Sequence, residues 1–412
     1  MHAFRIGRVF GIDLRVDWSW VFIFVLMTWN LFAVFSHWHP AWSPFEDGAI
    51  AVLATLLFFG CILLHELAHS VVAMGYGLKV RSITLFMFGG VSNIEHEPPS
   101  PRAEFFTAIA GPLTSIGLGL AFVALTSLAV GGGMVTGSDP WAAAAELGPV
   151  TTLLAWLGPI NVLIGLFNLV PGFPLDGGRV LRSIVWRLTG DLRTATRLVS
   201  GIGQATGWGF ILIGLAMTFG AHVPFFGTGF AGGLWLAFIG WFLNGAARQA
   251  TVRIDIDEAL AGHSVGELMR RHGPVVSPDV PLTTLVHEYF MRSDDRALPV
   301  VRDGRLLGIV TMGEVGRVGP EAWATMSAKE SMRGVDSLVT TTPDASVTEA
   351  FARLASENVE QLPVVQNGEL VGMLRRNDVA RFLELVWQRG ARTRGVPARR
   401  AGNALRLRGA HG

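Results

Sequence analysis

Six long apolar stretches, at residues 18–35, 49–76, 105–130, 150–169, 201–219 and 229–243, dominate the first part of the chain. A helix needs about 20 such residues to cross the hydrocarbon core of a bilayer. The expected fold is therefore a polytopic α-helical membrane protein with about six transmembrane helices over residues 1–248. Composition agrees: half of the 412 residues are hydrophobic and 16% are charged, against about 25% charged in a soluble domain. The last two stretches are rich in glycine, and Gly203 and Gly207 have the small-xxx-small spacing found where membrane helices pack closely. The N-terminus is basic and then apolar but lacks a small-residue cleavage site, so the first stretch is read as a retained membrane helix.

Charge places the ends. Arg5, Arg8 and Arg15 precede the first stretch, Lys79, Arg81 and Arg102 lie between the second and third, and Arg179, Arg182, Arg187, Arg193 and Arg197 follow the fourth. The intervening segments 37–47 and 131–148 contain no Lys or Arg. By the positive-inside rule both termini face the cytoplasm in a multi-pass cell-membrane protein, as do the C-terminal ends of helices two and four. A net charge of +1 gives no footprint for a nucleic-acid partner. The single cysteine, Cys61, excludes an intrachain disulfide and a thiolate zinc site, and its apolar surroundings make it a packing residue. Between helices two and three, residues 80–88 read as a strand, Gly89-Gly90 as a turn and residues 91–94 as a second strand: a small β-hairpin.

After Arg248 the chain reads like a soluble domain, and it repeats itself. Leu298-Pro299-Val300-Val301, Asp303-Gly304 and residues 306–310 match Leu362-Pro363-Val364-Val365, Asn367-Gly368 and residues 370–374. Each Asp-Gly or Asn-Gly pair is a tight hairpin turn between two apolar strands. Helical stretches flank each hairpin, starting at Pro278-Asp279 and Pro343-Asp344, so the unit is an α/β repeat at residues 257–318 and 332–388. Residues 389–412 form a basic, disordered tail rich in Arg, Gly and Ala. It is read as solvated, with contact to anionic lipid as the alternative.

The chemistry lies inside the apolar part. His65-Glu66-Leu67-Ala68-His69 puts two imidazoles four residues apart, on one face of a helix, where both can bind one metal. Glu66 is offset by roughly 60–100° at 3.6 residues per turn. It can reach water activated by that metal without being a ligand. Ionisable groups at membrane depth are costly and usually functional. A catalytic zinc needs a third protein ligand. Asp176, the only acidic residue in the segment from Asn168 to Gly178, supplies it, where Pro171 and Pro174 break the fourth helix. Asn168, an amide near membrane depth, has two readings: a donor to a developing oxyanion, or a plain interhelical hydrogen bond.

Leu64-His65-Glu66-Leu67-Ala68-His69 resembles the zinc motif of the site-2 protease family of intramembrane metalloproteases. Asn168 through Gly178 resembles the family's second motif, Asn-x-x-Pro-x-x-Pro-x-Asp-Gly, and Phe88-Gly89-Gly90-Val91 and Ala110-Gly111-Pro112 resemble its hairpin and third-helix segments. The resemblance covers most of residues 1–182. It implies one zinc per chain held by His65, His69 and Asp176, with Glu66 as general base and Asn168 assisting the substrate carbonyl. The C-terminal repeats resemble CBS modules, which pair and often bind adenine nucleotides through Gly-x-x-Thr/Ser-x-x-Asp. Here that pattern reads Gly308-Ile309-Val310-Thr311-Met312-Gly313-Glu314 and Gly372-Met373-Leu374-Arg375-Arg376-Asn377-Asp378. Each copy is broken at one position, leaving Thr311 and Asp378 as the best polar contacts for an adenine nucleotide. A structural or dimerising role, through which the chain forms a homodimer, stands beside nucleotide binding.

These readings converge on an intramembrane zinc metalloendopeptidase for regulated intramembrane proteolysis. Its substrate is a membrane-tethered protein in the lipid bilayer, whose unwound segment adds to the strand at residues 80–88, and its CBS pair modulates activity. The alternatives are a CBS-regulated channel or transporter, and a catalytically inactive membrane binding protein.

Overall fold

The computed structural model describes residues 3–87, 89–94, 97–130, 145–223, 228–292 and 295–393. It divides into two compact units, Met1–Val252 and Arg253–Gly412.

In the first unit, β1 (Ala3–Val9) and β2 (Ile12–Asp17) precede α1 (Trp18–Trp38) and α2 (Pro44–Gly75). Then come β3 (Val80–Phe86), β4 (Gly89–Ile94), α3 (Pro101–Ala129) and α4 (Pro149–Asn168). A shorter α5 (Asp176–Thr189) leads to α6 (Leu192–Thr218) and α7 (Phe230–Leu260). Six of these helices, all but α5, are long and apolar enough to cross a membrane. Their starts are written locally. Ser43 caps α2 in a reciprocal capping box with Glu46, Ser100 caps α3, and α2, α3 and α4 each carry proline in the first turn, where no N–H is needed.

The hairpin is larger than its own sequence suggests. The four strands form one sheet in the order β1-β2-β3-β4. β2 pairs parallel to β3 from Asp13↔Ser82 to Val16↔Leu85, and β3 pairs antiparallel to β4. Ile12, Leu14 and Val16 alternate with charged residues, and Ile12 and Leu14 pack with Val80 and Ile83 against Ala73 near the end of α2 and Leu78 just after it. This corrects the expectation that the strand after residue 80 receives an extended partner. Both edges of β3 are taken, and β4 holds the outer position. Phe88, part of the expected strand and of the hairpin motif, lies outside the described residues, as do 131–144 of the Lys- and Arg-free loop and 394–412 of the tail.

Glycines set the closest helix contacts. A Cβ on Gly119 would lie 2.7 Å from the Gly158 carbonyl, and one on Gly165 would lie 2.8 Å from the Pro112 carbonyl, so α3 and α4 meet backbone to backbone. Gly207 of α6 faces the Gly240 carbonyl of α7 in the same way.

The second unit contains β5 (Ala297–Arg302), β6 (Arg305–Thr311), β7 (Arg333–Gly334), α8 (Val347–Ser356), β8 (Gln361–Gln366), β9 (Glu369–Arg375) and α9 (Arg376–Thr393). The main strand order is β5-β6-β9-β8, with β7 on β6. Asp303-Gly304 and Asn367-Gly368 all have positive φ, as a two-residue hairpin turn of this type requires. The repeats exchange their leading segments. Leu260, Val265 and Met269 pack in the core of the second repeat, with Val347, Leu354, Leu362 and Leu374. Ala328 and Met332 pack with the first, against Val300 and Val310. α9 continues to Thr393, past the expected start of the tail at residue 389.

Candidate metal centre

His65 and His69 lie on the inner face of α2, each 5% exposed. Asp176 reaches them from the first residue of α5, after the chain leaves α4 through Pro171-Gly172-Phe173-Pro174, where the Phe173–Pro174 bond is cis. The Asp176 Oδ2 atom lies 3.1 Å from His65 Nε2 and 3.1 Å from His69 Nε2, and the two Nε2 atoms are 3.1 Å apart.

This triangle fits zinc. At Zn–N and Zn–O lengths of about 2.0–2.1 Å, tetrahedral ligand atoms sit about 3.3–3.4 Å apart, within a few tenths of an ångström of what is found. The far side of each imidazole is fixed as a metal ligand's must be. His69 Nδ1 donates to the Thr107 carbonyl at 2.6 Å, and His65 Nδ1 meets Ser115 Oγ at 2.9 Å. Both partners are on α3. Between them Gly111 leaves room for the centre: a Cβ there would overlap His69 Nε2 and lie 2.6 Å from His65 Nε2. Thr107, Gly111 and Ser115 recur every four residues, so they form a small polar stripe on one face of α3. That stripe is visible in the sequence, but its partner is not.

Glu66 is not a member of the triangle. It is half-buried, and its Oε2 accepts a hydrogen bond from Ser92 of β4 at 2.8 Å. Ser70 Oγ, one turn on, donates to the Glu66 carbonyl at 2.9 Å and lies 3.2 Å from Ser92 Oγ. A Cβ on Gly90 would lie 2.5 Å from Glu66 Cγ, so only glycine lets β4 rest on this side chain. The sheet therefore delivers its outer strand to the carboxylate beside the triangle. Asn168 is also half-buried, and its Nδ2 donates to the Ile164 carbonyl of its own helix at 3.1 Å, a bond within α4 and not the interhelical one considered above.

The nucleotide contacts anticipated in the repeats are engaged within the chain. Thr311 caps the short helix Met312–Gly316, and its hydroxyl and backbone N–H both donate to Glu314, which pairs with Arg333 at 3.1 Å. Arg375, standing where the pattern has Thr or Ser, donates to both oxygens of Asp378 at 2.8 and 2.9 Å and to Asp295 at 2.6 Å. The Arg375 guanidinium is held above its ordinary value, first by the bond to Asp378.

Comparison with known proteins identifies the family. The profile of peptidase family M50 matches residues 53–213, and that of the CBS domain matches residues 265–318 and 334–385. Over 393 residues the chain is 33% identical to Rip3 of Mycobacterium tuberculosis, which carries a provisional name as a zinc metalloprotease, covering 93% of each protein. It is 30% identical over 383 residues to sll0528 of Synechocystis, also provisionally named a zinc metalloprotease, covering 92% of this chain and 95% of that one. Among solved structures, the site-2 protease from Methanocaldococcus jannaschii aligns with a TM-score of 0.39 and 24% identity, over 61% of this chain and 95% of its own. The chain belongs to the peptidase M50, or site-2 protease, family, and it carries a CBS pair after its membrane part.

Proposed function

We propose that this protein is an intramembrane zinc metalloendopeptidase that cleaves transmembrane segments of membrane-tethered proteins. The observation that carries this reading is the convergence of His65, His69 and Asp176 with Glu66 beside them, the two histidines and Glu66 on a helix long enough to cross a bilayer. His65, His69 and Asp176 would hold one zinc, which when bound lowers the pKa of water to about 7 and polarises a carbonyl. Glu66 takes the proton from the attacking water and returns it to the leaving amine, with Ser92 orienting its carboxylate. Asn168 has two amide hydrogens. One is spent on Ile164, and the other serves the oxyanion.

The substrate must present a peptide bond that a helix would hide. β4 is an edge strand of its sheet and touches Glu66. An unwound segment adding to that edge would lie along the carboxylate, with backbone hydrogen bonds supplying affinity. Among the described residues the CBS pair shows no acid, base and nucleophile cluster of its own; it modulates activity or assembles the chain as a homodimer, facing the cytoplasm with both termini. Adenine nucleotide binding is weak, because Arg375 and Glu314 occupy the groups that would meet a ribose.

Reconstitution with a transmembrane peptide carrying a central helix-breaking segment tests the reading. Cleavage within the segment that stops in the Glu66→Gln variant is the expected result. Equal cleavage by native and variant protein would overturn it.

A further inference from the structure

Glu104 sits in the first turn of α3 with no exposed surface, and Arg182 of α5 is 8% exposed. Arg182 Nε donates to Glu104 Oε1 at 2.6 Å, and a second guanidinium nitrogen converges on the same oxygen. The guanidinium also lies 5.4 Å from the centre of the Phe173 ring and reaches Thr196 Oγ1 of α6 at 3.5 Å. Glu104 Oε2 is buried without a hydrogen-bond partner among the described residues.

Such a pair is a poor way to hold helices together. Removing two charges from water is costly, and an unsatisfied buried acceptor adds to that cost. Apolar side chains of similar volume often serve stability equally well or better. What they do not provide is direction. Two N–H groups on one carboxylate oxygen fix both a distance and an angle.

The pair stands where the two halves of the metal centre meet. Glu104 is three residues before Thr107, whose carbonyl holds His69. Arg182 is on the helix that begins with Asp176, and it lies over Phe173, three residues before that aspartate. We infer that Glu104 and Arg182 are positioning residues, setting the register of α5 on α3 and so placing the Asp176 carboxylate against His65 and His69. The inference rests on the zinc reading of that triangle, so its test measures metal binding and not proteolysis.

The full-length protein in detergent is compared with the double variant Glu104→Leu/Arg182→Met, which removes both charges and keeps apolar bulk. Zinc affinity is measured by competition with a chromogenic chelator, alongside the Tm. The double variant should melt at or above the native Tm yet bind zinc about tenfold more weakly or worse. A folded double variant with native zinc affinity would overturn the inference, since a merely structural pair can be exchanged for apolar contact. Arg182→Lys keeps the charge and much of the bulk but loses the fork and the ring contact. It should retain the native fold with an intermediate loss of affinity, and unchanged affinity in this variant overturns the inference by itself. No zinc binding by the native protein would overturn the metal reading on which both rest.

Discussion

Glu66 and Gly111 touch the same centre in opposite ways, one by its chemistry and the other by its lack of a side chain. Glu66 stands beside the triangle with Oε2 held by Ser92. Glu66→Gln should therefore lower hydrolysis by about 10²–10⁴ while zinc content, read by metal analysis, stays near one per chain. Loss of metal from that variant would make Glu66 a ligand and not a base. At Gly111 the smallest addition falls on the metal-facing nitrogens. Gly111→Ala should empty the site in the same metal assay although alanine favours the helix by about 1 kcal/mol. Retention of stoichiometric zinc would show that α3 can retreat from α2 at this point.

At the scale of elements, α6 supports the centre without contributing a ligand. A Cβ on Gly203 would lie 2.6 Å from the Phe173 carbonyl and 3.2 Å from Ala247 of α7, and Phe173, Val199 and Ala247 form one buried cluster. The loop that aims Asp176 is thus seated on a glycine. Gly203→Val should push the loop off α6 and weaken zinc binding, whereas Gly201→Val, on the same helix with open space around its Cα, should leave it unchanged. Equal zinc affinities in a chelator competition would rule out this support. The sheet has a comparable division of labour: β2 and β3 pack on α2, and β4 brings Ser92 to Glu66.

At the scale of the whole molecule, every metal-facing group precedes the division at Val252. Truncation after Val252 should keep one zinc per chain by metal analysis while altering the rate or assembly of the full protein; loss of metal would make the second unit part of the centre. Within that unit, Arg375 and Asp378 neutralise one another. Arg375→Thr frees Asp378 and restores the hydroxyl of the family pattern, so calorimetry with AMP on the full-length protein should show affinity at least tenfold above native. No gain, or tight binding by the native chain, would put any nucleotide pocket elsewhere.

How much of this is legible in residue order depends on the range of the interaction. The six apolar stretches, the His65/His69 spacing and the Asp-Gly and Asn-Gly turns all rest on contacts within a few residues, and each is readable locally. The strand Ile12–Asp17 is not among the sequence expectations, because a strand needs a partner and this one's lies at Ser82 to Leu85, far along the chain. The same holds for the exchange of leading segments between the CBS repeats, where Val265 packs with Leu354 and Ala328 with Val310. Periodicity tells which face of an element is buried, not against what. Residue order is enough for the membrane helices, the repeat and the His65/His69 spacing, because these follow from local geometry and the cost of polar groups in lipid. Residue order does not show that Asp176 closes the triangle at 3.1 Å, that Ser92 of β4 meets Glu66, or that Arg375 holds Asp378, because each depends on packing between elements distant along the chain or on the rotamers that packing selects.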